Sequence, residues 1–378
     1  FIDGFAAQIL KKIKLKDLMP NTYEFFRKGI IFNNRYTNAE WTLAAVASMF
    51  SGKYTGDHRL FHPSKKTTIR EGLPLMSNFF QDNGYMTLNC GGVWRMTPSY
   101  GYCKGFDRTI YKKGIDEREV VDTYIKHLMT FKDRDNFAWI SFHDLHHDIN
   151  FLPEINVQVN TPLKFHSYGS IKTKSPHINE YDGKSTYKYI KKITNLDFAL
   201  KQIYSYIESN YRDDEILVAL VSDHGQGFIE RHKMTLAKTR MHVPFMLRGC
   251  GKKNIQTDEL SSNTDLLPTL LHFSGIKYDK NSFDGFLPKA FGGKGRKYII
   301  AESIYPGQTY KATVKDMEYE LFFETKDAVK DDGNISLNNY DAKLINSKTN
   351  KDVSGEKQKK LNEYTSIVLK HIKKTGIK

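Results

Sequence analysis

Residues 217–221, Leu-Val-Ala-Leu-Val, form an apolar, β-branched run that stops at Ser222-Asp223-His224-Gly225. Such a run reads as a buried strand, and it is one of several that alternate with helical segments. Strand character falls at 30–34, 85–89, 137–142, 217–222 and 243–247; helical character falls at 43–50, 74–83, 120–131, 185–211 and 265–274. In the 185–211 segment Ile190, Ile193, Leu196, Leu200, Ile203 and Ile207 recur at helical spacing. Strand-helix alternation of this kind predicts an α/β fold: a mostly parallel central sheet with helices on both faces. Beyond residue 300 the pattern changes. Short strands are expected at 298–303, 311–315 and 319–323, a polar loop at 327–351 and a closing helix at 357–373. We therefore expect a domain over residues 1–300 and a small antiparallel C-terminal subdomain over 301–378.

Ligands of such sheets gather beyond the carboxyl ends of the strands. Three strand ends carry acids or imidazoles. Asp3 follows Phe1-Ile2, Asp144 and His146 follow Phe-Ala-Trp-Ile-Ser-Phe, and Asp223 and His224 close the run at 217–221. Adjacent side chains on a strand point to opposite faces. Asp223 and His224 serve one site only if the strand has ended and turned, which Gly225 permits. Mixed Asp and His donors suit zinc or manganese, with calcium a less favoured choice. Thr42 opens the helical stretch at 43–50. A threonine there is ordinarily an N-cap, but its hydroxyl also sits where backbone N–H groups face an anion.

The formal charge of +14 favours an anionic partner such as a phosphodiester or a glycan. The basic residues are spread along the chain and carry no nucleic-acid-binding signature, so no nucleic acid is expected. No run of about 18 apolar residues occurs, so no transmembrane segment is expected, although association with a membrane surface stays open. No leader is seen, but Phe1-Ile2-Asp3-Gly4 already reads as the end of a strand, so a leader or anchor ahead of it, and with it a cell-surface catalytic domain, stays open. Cys90, Cys103 and Cys250 make neither a disulfide framework nor a zinc motif. They lean towards a reducing, cytoplasmic or membrane-peripheral setting.

Together these pieces resemble the alkaline phosphatase and sulfatase superfamily. Phe1-Ile2-Asp3-Gly4 is similar to its first, metal-binding strand end. The segment 28–58 resembles its nucleophile segment, in which the nucleophile lies ten positions before the glycine of a TG-basic-Tyr sequence. Here Ser51-Gly52-Lys53-Tyr54 stands in, which selects Thr42. SFHDLHHD resembles the segment giving a substrate-facing histidine, best matched by His146, with His143 and His147 as competitors. SDHG matches the second pair of metal ligands, and TDLLPTLLHFSGI a later helix. The resemblance implies a divalent ion held by Asp3, Thr42, Asp223 and His224. A second ion, with Asp144, His146 and His232 as its donors, is left open. It also implies catalytic roles for Thr42, His146 and His232, and anion contacts from Lys233, Lys238 and Arg240.

The departures redirect the chemistry. Formylglycine sulfatases have Cys or Ser as nucleophile, Pro two residues on and Arg four residues on, whereas this chain has Thr42, Ala44 and Val46. Threonine is the nucleophile in relatives that act on phosphate esters, among them phosphoethanolamine transferases and lipoteichoic acid synthase. The expectation is a metal-dependent phosphotransferase or phosphodiesterase working through a phosphothreonine on a glycan- or lipid-linked phosphodiester. The alternatives are a simple phosphate- or sulfate-ester hydrolase and an inactive module that binds anionic glycans.

Overall fold

The computed structural model describes residues 1–61, 68–112, 114–145, 181–230 and 236–377. His146, His147, His232 and Lys233 lie outside the described residues.

Two hydrogen-bonded sets of strands form the centre. One runs in the order β5 (Val218–Val221), β6 (Phe245–Arg248), β1 (Ile30–Tyr36), β7 (Ile255–Ser262). The other runs β3 (Arg108–Tyr111), β2 (Met86–Gly91), β4 (Asn136–Ser141). Residues 1–3 join them. Ile2 N donates to Val221 O and Asp3 N to Phe142 O, each at 2.9 Å. Pairs β2/β3, β2/β4 and β1/β7 are parallel, and β6 runs antiparallel to both β1 and β5. The central sheet is thus mostly parallel, as the alternation of elements predicts.

Strand alternation divides the apolar residues between two cores. Phe32, Val221 and Phe245 enter one, with α1 (Thr42–Ser51), α2 (Met76–Asp82) and α5 (Leu266–Phe273) over it. Ile31, Leu220 and Met246 enter the other, under α3 (Glu117–Thr130) and α4 (Gly183–Asn210). Helix α1 is buried along its whole length and ends at Gly52, whose φ of 66° is the left-handed conformation that glycine adopts without strain. Its Leu43, Val46 and Phe50 each contribute about 1.5–3 kcal/mol by leaving water. Asp116 and Asp182 cap α3 and α4 by accepting from their first backbone N–H groups.

A second sheet, antiparallel throughout, has the order β11 (Tyr340–Asn346), β10 (Tyr319–Ala328), β9 (Thr309–Lys315), β8 (Ile299–Ser303). Helix α6 (Gln358–Thr375) closes its own core with Tyr364, Val368 and Ile372. The loop expected at 327–351 is corrected here, because β11 lies within it. Only Leu344 of β11 is fully buried, so its polar sequence carries little strand signal. Edge strands β3 and β7 escape the sequence pattern for the same reason. The second sheet is tied to the first body beside α1, where Glu302 N donates to Asn38 O at 3.0 Å.

Candidate metal centre

Asp3, Asp223 and His224 converge at the carboxyl ends of the segment 1–3 and β5. One donor atom from each lies within 4.8 Å of the others, and all three residues are buried. His224 Nε2 is 3.3 Å from Asp223 Oδ2 and 3.9 Å from Asp3 Oδ1. The turn after β5 brings adjacent residues onto one site. Ser222 Oγ accepts from Phe5 N at 2.9 Å and donates to His224 O at 3.0 Å. Gly4 N donates to Asp223 Oδ1 at 3.0 Å. Gly225 is required by proximity: a Cβ there would lie 1.9 Å from Thr239 O.

The donor set fits a divalent ion. His224 Nδ1 lies 2.9 Å from Gly225 O, an acceptor only, so the ring proton sits on Nδ1 and Nε2 presents its lone pair to the cluster. Asp223 Oδ2 is buried and accepts no hydrogen bond. An orphaned carboxylate oxygen at such a site is costly unless a cation completes it. Burial pushes the Asp223 carboxyl up to about 6, with Asp3 adding repulsion, and holds the His224 imidazole below its ordinary value. Two carboxylates and an imidazole are a zinc- or manganese-type set, while calcium prefers oxygen throughout.

Thr42 is the first residue of α1. Trp41 occupies the N-cap position and makes no side-chain cap, so the hydroxyl is not used as one. Thr42 Oγ1 instead lies 3.1 Å from His224 Nε2, and since Nε2 carries no proton the hydroxyl donates. Asp3, Thr42, Asp223 and His224, selected from distant parts of the sequence, thus meet in one place.

The remaining candidates divide. Arg240 is buried, 2% exposed, and its guanidinium donates to Glu40 O at 2.6 Å. Burial lowers its pKa, against the pull of Glu40, Asp223 and Asp3. It supports the approach to Thr42 and sets a positive field at the cluster. Lys238 points elsewhere, donating to Ser347 O at 2.9 Å and Asn350 Oδ1 at 3.3 Å. That places it on the β11 hairpin rather than on an anion. Asp144 has Glu117 as its neighbour, and burial together with that carboxyl pushes its own up to about 7. Among the described residues the only metal-competent group of three or more is Asp3, Asp223 and His224.

Sequence reasoning gave His143 no more than a competing place. Its Nδ1 lies 2.8 Å from Asp3 Oδ2. Asn263 was also passed over, although its Nδ2 donates to Asp223 O at 3.1 Å and Ser222 O at 3.4 Å. The asparagine two residues before the TDLLPTLL motif's Asp265 carries no local signal for that role.

Mouse arylsulfatase K is 35% identical over 69 residues, a stretch covering 17% of this chain and 12% of that protein, so the match spans only a small part of that relative. The fold is that of BT1596, a 2-O GAG sulfatase, at a TM-score of 0.72 and 16% identity, covering 99% of this chain and 91% of the other. It is also that of the phosphonate monoester hydrolase SpPMH from Silicibacter pomeroyi, at a TM-score of 0.71 and 15% identity, covering 99% and 94%. The sulfatase family model matches residues 3–276, a span that holds all four residues of the cluster, and the chain belongs to the sulfatase family.

Proposed function

We propose that this hydrolase-type enzyme is a metal-dependent phosphotransferase or phosphodiesterase that acts through a covalent phosphothreonine at Thr42. Its substrate is a glycan- or lipid-linked phosphodiester of the kind handled in surface-polysaccharide or teichoic-acid-like assembly. One observation carries the reading: the Thr42 hydroxyl, at the start of buried α1, lies 3.1 Å from the unprotonated nitrogen of His224. A threonine cannot be converted to the aldehyde on which formylglycine sulfatases depend, but its hydroxyl is a competent nucleophile once its proton is drawn away.

A divalent ion held by Asp3, Asp223, His224 and Thr42 would lower the hydroxyl pKa and neutralise charge on the phosphoryl oxygens. The Thr42 proton passes to solvent, and Oγ1 bonds to phosphorus as the bond to one ester oxygen breaks. The departing alkoxide takes a proton, for which His146 and His232 are the proposed donors. Water or an acceptor hydroxyl then attacks phosphorus and gives its proton to the histidine that protonated the alkoxide, the Oγ1–P bond breaks, and Thr42 regains its proton from solvent. The N-terminus of α1 and the field of Arg240 favour the anionic group throughout.

Sulfate-ester hydrolysis is the second reading, favoured by the match to arylsulfatase K. One experiment separates the two. The enzyme loaded with zinc or manganese is given bis-p-nitrophenyl phosphate, quenched in acid and weighed intact, with p-nitrocatechol sulfate assayed in parallel. The proposal expects a phosphoryl adduct on Thr42 that Thr42→Ala lacks. Turnover of the sulfate ester alone, with no adduct, overturns it.

A further inference from the structure

We propose that the outer face of α4 docks on an anionic lipid surface. Lys184, Tyr187, Lys188, Lys191, Phe198 and Lys201 are all exposed on this helix. Tyr187 is 59% exposed and Phe198 65%, the highest value for any large hydrophobic residue among those described. At about 100° and 1.5 Å per residue, these two rings lie within about 20° of one line along the helix, about 16 Å apart. The four lysines flank that line on both sides. Of the acids on the helix, Asp197 is buried and accepts from Asn21 and Thr22, and Glu208 stands beyond Lys201, paired with Lys28 and Arg248, while Glu117 of α3, with Arg118 beside it, lines the hollow next to Phe198. None of the four lysines forms an ion pair with a described residue. Lys191 Nζ rests 4.8 Å above the Tyr187 ring, so cation and aromatic already act as a unit.

This combination has a physical use. A face that served only for solubility would not display two large rings in register. A charged polymer would be held by the lysines alone and would gain little from the two exposed rings. A bilayer has phosphates above an apolar layer, so lysines and aromatics on one flat-lying helix are both satisfied there. Each lysine near an anionic surface is worth about fivefold in affinity.

The opposite side of the same helix reaches the metal centre. Tyr189, two residues from Tyr187 and about 200° round the axis, donates to Gly4 O at 2.8 Å and accepts from Ala6 N at 2.9 Å. It thereby holds the turn that follows Asp3. A bilayer under the outer face would lie one helix diameter, about 10–12 Å, from that turn. The inference goes beyond the proposed function and does not rest on it, because binding is read without turnover.

The full chain is sedimented with vesicles of phosphatidylcholine alone and of phosphatidylcholine mixed with phosphatidylglycerol. Binding is expected only to the mixed vesicles. The quadruple variant K184Q/K188Q/K191Q/K201Q should lose several-hundredfold in affinity, taking about fivefold per lysine. The double variant Y187S/F198S should lose on the order of tenfold or more. Circular dichroism establishes that both variants are folded, and their turnover of bis-p-nitrophenyl phosphate should match the parent. Absence of binding to mixed vesicles overturns the proposal, as does vesicle binding that neither variant weakens. It is overturned equally if heparin competes, the lysine variant loses binding and the aromatic variant keeps all of it, since that pattern marks a polyanion site.

Discussion

His143 Nδ1 lies 2.8 Å from Asp3 Oδ2, on the side of the carboxylate away from His224. A carboxylate only accepts, so the histidine donates and fixes the rotation of Asp3. Groups that orient a ligand in this way contribute about 10–100-fold to metal affinity. His143→Ala should therefore weaken zinc or manganese binding by that factor, measured by competition with a chromophoric chelator. Unchanged affinity would leave His143 without an orienting role.

Removing the metal should destabilise the protein, and more so at neutral than at acid pH. Burial raises the Asp223 carboxyl from 3.8 to about 6 in the metal-free protein. A raised acid stabilises the fold while protonated and loses that contribution as pH rises through the folded value. Above about 6, Asp3 and Asp223 then confront each other as anions. A ligand present at about 1,000 times its Kd adds about 4 kcal/mol. The drop in Tm on adding EDTA should be larger at pH 7.5 than at pH 5, as followed by scanning calorimetry. An equal drop at both would mean that Asp223 is ionised across the range.

The cluster was legible because its chemistry is local. Asp223-His224-Gly225 stands at an abrupt strand end, and Thr42 lies at a fixed interval from Gly52. What joins them is not local. That His143 reaches Asp3 depends on where β4 ends against the segment 1–3, a matter of register. Lys238 and Arg240 are two residues apart on one short turn and look equivalent in the sequence, yet one bonds the β11 hairpin and the other Glu40. Strand β6 reads as any apolar strand, since direction leaves no trace in composition. Strands β7 and β11 were missed because an edge strand with one partner needs few apolar residues.

Asn263 should tune the metal centre without touching the ion. It is fully buried, and its amide donates to the carbonyls of Asp223 and Ser222 and to Thr37 Oγ1. Arg35 Nε, donating to Asn263 Oδ1 at 3.1 Å, fixes which end of the amide faces which partner. Asn263→Asp keeps the size but replaces the donors with an acceptor facing carbonyl oxygens. We expect metal affinity to fall about tenfold or more, with kcat recovering at saturating metal. A merely structural role would lower Tm and leave the metal affinity of the folded fraction unchanged.

Glu302 and His371 should make the closure of α6 dependent on pH. His371 Nε2 is 3.1 Å from Glu302 Oε2, and both are buried between α6 and β8. Burial alone would lower the His371 pKa, yet the Glu302 carboxylate raises it above 6.5, while His371 and Tyr310 hold Glu302 below 4.5 against its own burial. A raised histidine stabilises the fold below its unfolded value and loses that contribution as pH climbs through the folded one. A depressed carboxyl stabilises above its unfolded value and loses it as pH falls through the folded one. The pair is thus at full strength between about 4.5 and 6.5 and fades on either side. His371→Leu leaves Glu302 buried without its cation and should cost about 3 kcal/mol within that window. The Tm difference from the parent, measured across pH, should peak there and shrink at pH 8. Because Glu302 N also bonds Asn38, four residues before Thr42, turnover should fall with the same pH profile. A Tm difference that is flat with pH would show that the two groups are held together without a charge.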